Sequence, residues 1–169
     1  MNKPALLVID MQNGLNEVFN FPDLVNKVNQ KIDSYHQENL PVIFMQHTDS
    51  ELPYGSDDWQ IVSALHRSKS DRVFLKYHSD SFYETGLESY LHHQNIGTLD
   101  VCGLQTEYCI DTAIRVGHDR GFKVITTSGL NSTLDTDDLT AKQIIKHHEA
   151  IWDEPFGMGH LRKSTQESN

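Results

Sequence analysis

The chain has 169 residues, of which 37% are hydrophobic, and its 14 Lys and Arg against 24 Asp and Glu give a formal net charge of −10. This length suffices for one domain with a sizeable core, and the acidic balance argues against nucleic acid or an anionic membrane as a partner, because both would repel it. No apolar run approaches the roughly 20 residues of a membrane span, and two cysteines make no disulfide framework, so we expect a cytoplasmic location.

The chain opens with an uninterrupted apolar run, residues 5–9, that ends at Asp10. Such a run is typical of a buried parallel strand. Because the run starts only a few residues after Met1, we expect no signal peptide. After a loop rich in Asn and Gly, Pro22 and Asp23 predict the start of a helix. The apolar face of that helix is expected to consist of Leu24, Val25, Val28, Ile32 and Tyr35.

A long irregular segment separates the second and third strands. Residues 41–46 predict one strand, which ends at His47, and residues 72–76 predict the next, which ends in a lysine. A loop over residues 48–58 leaves the first of these strands, and loops of this length in compact domains are often functional. We expect a short helix over residues 59–65.

A strand, a sharp turn and a helix are predicted around Cys109. Residues 98–102 form an apolar run between glycines, and Gly103 permits backbone angles that other residues avoid. Thr106 is the expected N-cap of the following helix. Cys109 then lies in the first turn, where free backbone N–H groups and the helix dipole favour the thiolate. This position makes Cys109 a candidate nucleophile, the alternative being a small buried core residue.

The remaining elements complete an α/β pattern. They are a helix with Leu87, Tyr90 and Leu91, a fifth strand over residues 122–127, a loop over 128–135, and a last helix with Leu139, Ile144, Ile145 and His148. Ile151 and Trp152 are expected to add a short sixth strand, and residues 163–169 to form a frayed tail. The alternation predicts a doubly wound, Rossmann-like three-layer sandwich with a central parallel sheet of five or six strands. We expect one domain over residues 1–169, with its core over about 5–155.

Three of the predicted strands are followed or ended by residues that acyl transfer requires. Asp10 and Lys76 stand at the ends of two strands, and Cys109 follows a third. In open parallel sheets, ligands gather at the carboxyl ends of the strands. A carboxylate base, an ammonium group and a thiol nucleophile are therefore expected at one edge of the sheet.

Taken in order, these segments resemble the isochorismatase-like cysteine hydrolases, a superfamily that includes nicotinamidases, N-carbamoylsarcosine amidases and isochorismatases. The resemblance covers roughly residues 5–150. It rests on residues 7–14, Lys76 with Ser81 and Phe82, residues 102–109, residues 121–124 and residues 131–133.

The resemblance implies a catalytic triad of Asp10, Lys76 and Cys109, preceded by a cis peptide bond between Leu104 and Gln105. The backbone N–H groups of Gln105 and Cys109 would form an oxyanion hole. It also implies hydrolysis of a small amide, or a related C–N bond, through a covalent thioester, and assembly as a homodimer or homotetramer. The alternatives are an isochorismatase-type vinyl ether hydrolase and a catalytically inactive module that binds a small molecule or a protein.

Four further residues are candidates for the substrate pocket: Gln12, His47, Trp59 and Tyr108. Gln12 and His47 follow strand ends, where polar residues also cap turns. Trp59 is expected equally to form a pocket wall or to pack between helix and sheet. Tyr108 is expected to pack rather than to gate the nucleophile.

Nicotinamidases of the resembled superfamily carry an Asp-x-His metal motif after the second strand, and residues 45–49 lack it. We therefore expect no metal site and no cofactor. The expected partner is a small-molecule substrate, with neither nucleic acid nor a membrane involved.

Overall fold

A six-stranded parallel sheet, in the order β3-β2-β1-β4-β5-β6, forms the centre of the computed structural model, which describes residues 2–153 and 160–163. The strands are β1 (Lys3–Ile9), β2 (Val42–His47), β3 (Arg72–Lys76), β4 (Ile96–Leu104), β5 (Lys123–Ser132) and β6 (His160–Arg162). The helices are α1 (Phe21–Gln37), α2 (Leu87–His93), α3 (Asp111–Asp119) and α4 (Ala141–Trp152). None of the helices in the described residues is long and apolar enough to cross a membrane.

Both faces of the sheet are covered, because the side chains of each strand alternate between two apolar layers. On β1, Leu6 and Val8 pack towards α1, whereas Leu7 and Ile9 pack towards α2 and α3. This double coverage explains why the strands read as continuous apolar runs. The predicted doubly wound α/β architecture is confirmed, with six strands.

Helix α1 buries the predicted apolar face and one residue more, Asn29. The Asn29 side chain donates to the Ala64 carbonyl at 2.9 Å and accepts from the His66 N–H at 2.8 Å. The Trp59 carbonyl accepts from the side-chain amides of Gln12 and Gln46 at 2.8 and 2.9 Å. Distant side chains therefore bind carbonyl groups of this segment, and the Trp59 carbonyl is one that a helix over residues 59–65 would use internally. The predicted helix over residues 59–65 is wrong, and the segment consists of turns and bends with one antiparallel bridge between Ile61 and Gln12.

Strand β5 runs on to Ser132, past the predicted end at residue 127 and into the predicted loop. Its pairing register with β4 shifts between two pairs of residues. Val101 pairs with Thr126, but Gly103, two residues further along β4, pairs with Asn131, five residues further along β5. Glu149 of α4 fixes this irregular part. Its carboxylate accepts hydrogen bonds from the Ser128 hydroxyl at 2.8 Å, the Asn131 amide at 2.9 Å and the Gly129 N–H at 3.3 Å.

The last helix, α4, excludes Leu139, which was expected on it, and includes residues 151–152, which were expected to form a strand. A capping box between Thr140 and Gln143 starts α4 after Leu139, so Leu139 is exposed and does not belong to the apolar face. Trp152 closes the last turn of α4 and donates from Nε1 to Asp111 at 2.8 Å. The predicted strand at residues 151–152 is therefore wrong, and the sixth strand is His160–Arg162. Residues 164–169 of the predicted frayed tail lie outside the described residues.

A buried carboxylate on β4 connects the sheet to α1. Asp100 accepts a hydrogen bond from Tyr35 at 3.0 Å, and its carboxylate lies 2.9 Å from Lys31 and 3.9 Å from Arg162 of β6. Burial and the neighbouring Asp100 raise the pKa of Tyr35 above its ordinary value. A buried charge persists only when it is paired, and the partners of Asp100 connect α1 and β6 to the sheet.

Candidate active site

Lys76, the last residue of β3, connects the three sequence-predicted residues at the carboxyl edge of the sheet. Its Nζ lies 3.0 Å from Asp10 Oδ2 and 3.3 Å from Cys109 Sγ. Asp10 directly follows β1, and Cys109 lies in the turn after β4. All three residues are buried. A carboxylate, an ammonium group and a thiol therefore meet inside the protein, where water screens their interactions little.

The Lys76 ammonium group faces four acceptors. Besides Asp10 and Cys109, Nζ lies 3.1 Å from His47 Nδ1 and 3.1 Å from the His78 carbonyl oxygen. An ammonium group has only three hydrogens. The fully buried charge is thus well compensated, and at least one of the four contacts goes without a hydrogen at any moment.

Asp10 has one occupied and one free carboxylate oxygen. Its backbone adopts a left-handed φ of 52°, which Asp tolerates better than most residues, and its N–H donates to the Met45 carbonyl at 3.0 Å. Oδ2 accepts from Lys76. Oδ1 is buried and has no hydrogen-bond partner in the described part of the chain. This free oxygen can accept a proton.

The surroundings of Cys109 favour the thiol over the thiolate. Burial, together with the negative charge of Asp10, raises its pKa, and Lys76 offsets only part of the rise, so the pKa reaches about 12. The sequence-based expectation that the helix start favours the thiolate is therefore wrong for the resting site. A reactive thiolate requires proton transfer to a neighbouring group.

The turn that carries Cys109 is wider than an ordinary α-helical turn. Residues Thr106–Ile110 form a single π-helical turn that continues into α3, and the Gln105 carbonyl accepts from the N–H groups of both Tyr108 and Ile110. Gln105, not Thr106, occupies the N-cap position. The Thr106 hydroxyl instead donates to Asn131 at 2.6 Å, so the predicted cap is wrong.

Gly103 brings the end of β4 against β1. Its φ is +118°, and a Cβ atom there would lie 2.1 Å from the Ile9 carbonyl oxygen. Only glycine fits both the backbone angle and the space. The peptide bond between Leu104 and Gln105 is cis, as the resemblance implies.

The four pocket candidates lie in different environments. Gln12 is buried and its side-chain amide binds the backbone of His47, accepting from the N–H at 2.8 Å and donating to the carbonyl at 2.9 Å. Trp59 packs against Tyr54 in the loop, with ring centroids 4.7 Å apart, and its indole N–H donates to the Thr48 hydroxyl at 2.8 Å. Tyr108 is 54% exposed, so the expectation that it packs is wrong.

His47, the fourth candidate, contacts Lys76 directly, and sequence reasoning did not foresee this contact. It also missed Asp49, whose Oδ2 lies 3.0 Å from His47 Nε2. The available signal was the spacing of two residues between His47 and Asp49 beside a strand end.

Among residues 2–153 and 160–163, no three His, Cys, Asp or Glu side chains cluster closely enough to hold a metal ion.

The model of the isochorismatase domain family matches residues 4–146, most of the chain. The chain belongs to the isochorismatase family. The resemblance seen in the sequence is thus confirmed, and with it membership of a family of hydrolases.

The family assignment agrees with individual relatives. A crystal structure of an isochorismatase family protein superposes with a TM-score of 0.89 at 42% identity, covering 96% of this chain and 98% of the other. YddQ, an isochorismatase family protein of Bacillus subtilis, is 25% identical over 146 residues, or 79% of this chain and 81% of its own. Nicotinamidase 3 of Arabidopsis thaliana is 23% identical over 174 residues, or 93% of this chain and 83% of its own.

Proposed function

We propose that this protein is a cysteine hydrolase that cleaves a small amide, or a related C–N bond, through a thioester on Cys109. The observation that supports this most is the position of Lys76 Nζ, which lies within 3.3 Å of both a carboxylate oxygen and the thiol sulfur. The similarity to a relative named nicotinamidase adds support for an amide substrate.

The first half of the reaction forms the thioester. Asp10 takes the thiol proton of Cys109 on Oδ1, its free oxygen, and Lys76 stabilises the thiolate. The sulfur attacks the carbonyl carbon, and the oxyanion accepts hydrogen bonds from the N–H groups of Gln105 and Cys109. The C–N bond then breaks as Asp10 returns the proton to the leaving nitrogen.

The second half releases the acid. Asp10, again a carboxylate, takes a proton from a water molecule that attacks the thioester carbon. The C–S bond breaks, the thiolate recovers the proton held by Asp10, and the carboxylic acid product leaves. Each proton that Asp10 takes up is thus passed on to another group within the same half of the cycle.

A panel of small amides and ureido compounds, followed by ammonia release, tests this function. We expect at least one compound to be hydrolysed by the natural chain and not by Cys109→Ala. Cys102→Ala is the matched control, because Cys102 is also a buried free cysteine but lies on β4 and has its pKa raised by burial and by Asp100. Cys102→Ala should hydrolyse the same compound at close to the natural rate.

The acyl intermediate gives a second readout. Rapid quenching followed by intact-mass measurement should show an adduct that hydroxylamine removes and that is absent in Cys109→Ala. Ammonia release by Cys109→Ala at the natural rate would contradict the proposal. Cleavage of a vinyl ether without any amide turnover would support the isochorismatase-type alternative instead.

A further inference from the structure

His47 is held in one orientation from both sides of its ring. Its backbone is bound by the buried side chain of Gln12, as described above. Its ring lies between Lys76, 3.1 Å from Nδ1, and Asp49, 3.0 Å from Nε2. An ammonium group has no lone pair, so Nδ1 must accept from Lys76, and Nε2 must carry the proton that is donated to Asp49.

Asp49 is itself fixed as a carboxylate. Its Oδ1 accepts from the backbone N–H groups of Glu51 and Leu52, at 2.8 Å each. Partial burial acts to raise its pKa, but these hydrogen bonds and the contact with His47 outweigh burial and hold the pKa below its ordinary value. The acceptor that fixes the tautomer of His47 therefore persists at neutral pH.

The four contacts of Lys76 divide into two groups. The Asp10 carboxylate and the His78 carbonyl, at 3.0 and 3.1 Å, are strong acceptors in the resting site. The third ammonium hydrogen is left for His47 Nδ1, at 3.1 Å, or Cys109 Sγ, at 3.3 Å. A neutral imidazole nitrogen is a much better acceptor than a thiol sulfur, so His47 holds this hydrogen while Cys109 is protonated.

We propose that His47, fixed by Asp49, is a positioning residue that limits how far the Lys76 ammonium group stabilises the Cys109 thiolate. The proposal rests on the proposed function only in taking Cys109 as the nucleophile. Its consequence is a resting site that favours the thiol more than it would without His47, since the thiolate must compete with His47 for a hydrogen.

A matched pair of variants tests this. His47→Asn and His47→Leu branch at the same carbon, but only Asn keeps an oxygen that can accept from Lys76. The measured quantity is the rate constant for alkylation of Cys109 by iodoacetamide at a fixed pH between about 7 and 9, below the thiol pKa, where the rate follows the thiolate population. Peptide mass mapping separates Cys109 from Cys102.

We expect His47→Leu to be alkylated about threefold to tenfold faster than the natural chain. One added charge-assisted hydrogen bond to the thiolate lowers the thiol pKa by about one unit, and the lower intrinsic nucleophilicity of the thiolate offsets part of that gain. His47→Asn should react at close to the natural rate. Equal changes in both variants, no change in either, or slower alkylation of His47→Leu would overturn the proposal.

A measurement on the natural chain covers the case in which His47→Leu does not fold. In ¹⁵N-labelled protein at pH 8, the His47 signal, assigned by its loss in His47→Asn, should show a protonated Nε2 and an unprotonated Nδ1. The opposite tautomer, or an imidazolium ring, would refute the proposal. Neither measurement requires turnover, so a lack of amide hydrolysis would count against the proposed function and leave this inference standing.

Discussion

Lys76 ends the edge strand β3 and Cys109 follows β4, yet Lys76 Nζ lies 3.3 Å from Cys109 Sγ. Strands β2 and β1 lie between β3 and β4, and three strand spacings amount to about 14 Å, further than a lysine side chain reaches. The gap is therefore closed from both sides, by the Lys76 side chain and by the turn of residues 106–110 that carries Cys109 beyond the end of β4. Just before that turn, the backbone of Gly103 lies against the Ile9 carbonyl of β1.

Replacing the ammonium group tests its two roles, in chemistry and in stability. We expect Lys76→Met to lower activity on the amide substrate by at least about 100-fold, because the thiolate and its proton acceptor lose the cation that contacts both. It should also lower the free energy of unfolding by about 3–5 kcal/mol, because the Asp10 carboxylate is left buried without its partner. Urea denaturation and steady-state kinetics measure the two effects.

The double variant Asp10→Asn/Lys76→Met separates these two roles. Removing both charges should restore much of the lost stability, since no unpaired charge remains, while activity stays lost. If the double variant were no more stable than Lys76→Met, the ion pair would not be what stabilises this part of the fold.

The raised pKa of Cys109 predicts a loss of stability at high pH. The pKa is about 12 in the folded protein against an ordinary value of 9.0, so the folded state prefers the thiol. The contribution of the protonated thiol to the free energy of unfolding is fully present below pH 9. It disappears as the pH rises towards 12, because the unfolded chain then releases a proton that the folded chain retains.

Cys109→Ser is the variant that reveals this contribution, since serine does not ionise in this range. Tyr35 and Cys102, whose pKa values are also raised, are present in both proteins and cancel in the comparison. The difference in unfolding free energy between the natural chain and Cys109→Ser should shift against the natural chain by about 1.4 kcal/mol per pH unit above pH 9. A difference that stays constant from pH 8 to pH 10.5 would contradict the raised pKa.

The substitution Gly103→Ala tests the close approach of β4 and β1. The new Cβ would lie 2.1 Å from the Ile9 carbonyl oxygen, a contact with backbone that no side-chain rotation relieves. We expect the free energy of unfolding to fall by at least about 2 kcal/mol. Gly55→Ala is the control, because its φ is also positive, at +82°, but nothing lies within 4 Å of the added atom.

The control isolates the steric part of the effect. Gly55→Ala should cost only about 1 kcal/mol, the usual penalty for a left-handed backbone at a residue with a side chain. Equal losses in thermal or urea denaturation of the two variants would mean that the contact with Ile9 relaxes freely and does not define the turn.

The parts of the fold that depend on neighbouring residues were predictable from the sequence. Strand β3 has the predicted bounds, Arg72–Lys76, and the buried face of α1 contains every predicted residue, because apolar periodicity is a local signal. The placement of Asp10, Lys76 and Cys109 at one edge follows from strand ends in a parallel sheet.

The sequence-based predictions that were wrong concern features that depend on contacts between residues far apart in the chain. The expected helix over residues 59–65 is absent, and the side chains of Gln12 and Gln46, from other elements, take the Trp59 carbonyl that such a helix would use internally. The thiol pKa of Cys109 runs opposite to the expectation because burial and the charge of Asp10 raise it, and neither the depth of burial nor the proximity of Asp10 is written in the local sequence. The contact of His47 with Lys76 likewise follows from the packing of β2 against β3.

The substitution Asp100→Asn tests the buried cluster that connects α1 and β6 to the sheet. Its carboxylate is fully buried and pairs with Lys31 at 2.9 Å, so neutralising it leaves a partly buried cation without its partner. We expect a loss of about 3–5 kcal/mol in the free energy of unfolding and faster amide exchange in β6.

The matched control is Asp23→Asn, whose partner Lys27 lies at 2.8 Å in an exposed pair four residues apart on α1. Solvent screens that pair, so the control should lose less than about 0.5 kcal/mol. Similar losses in the two variants would show that burial does not strengthen the Asp100 pair, and unchanged exchange in β6 would remove Arg162 from the cluster.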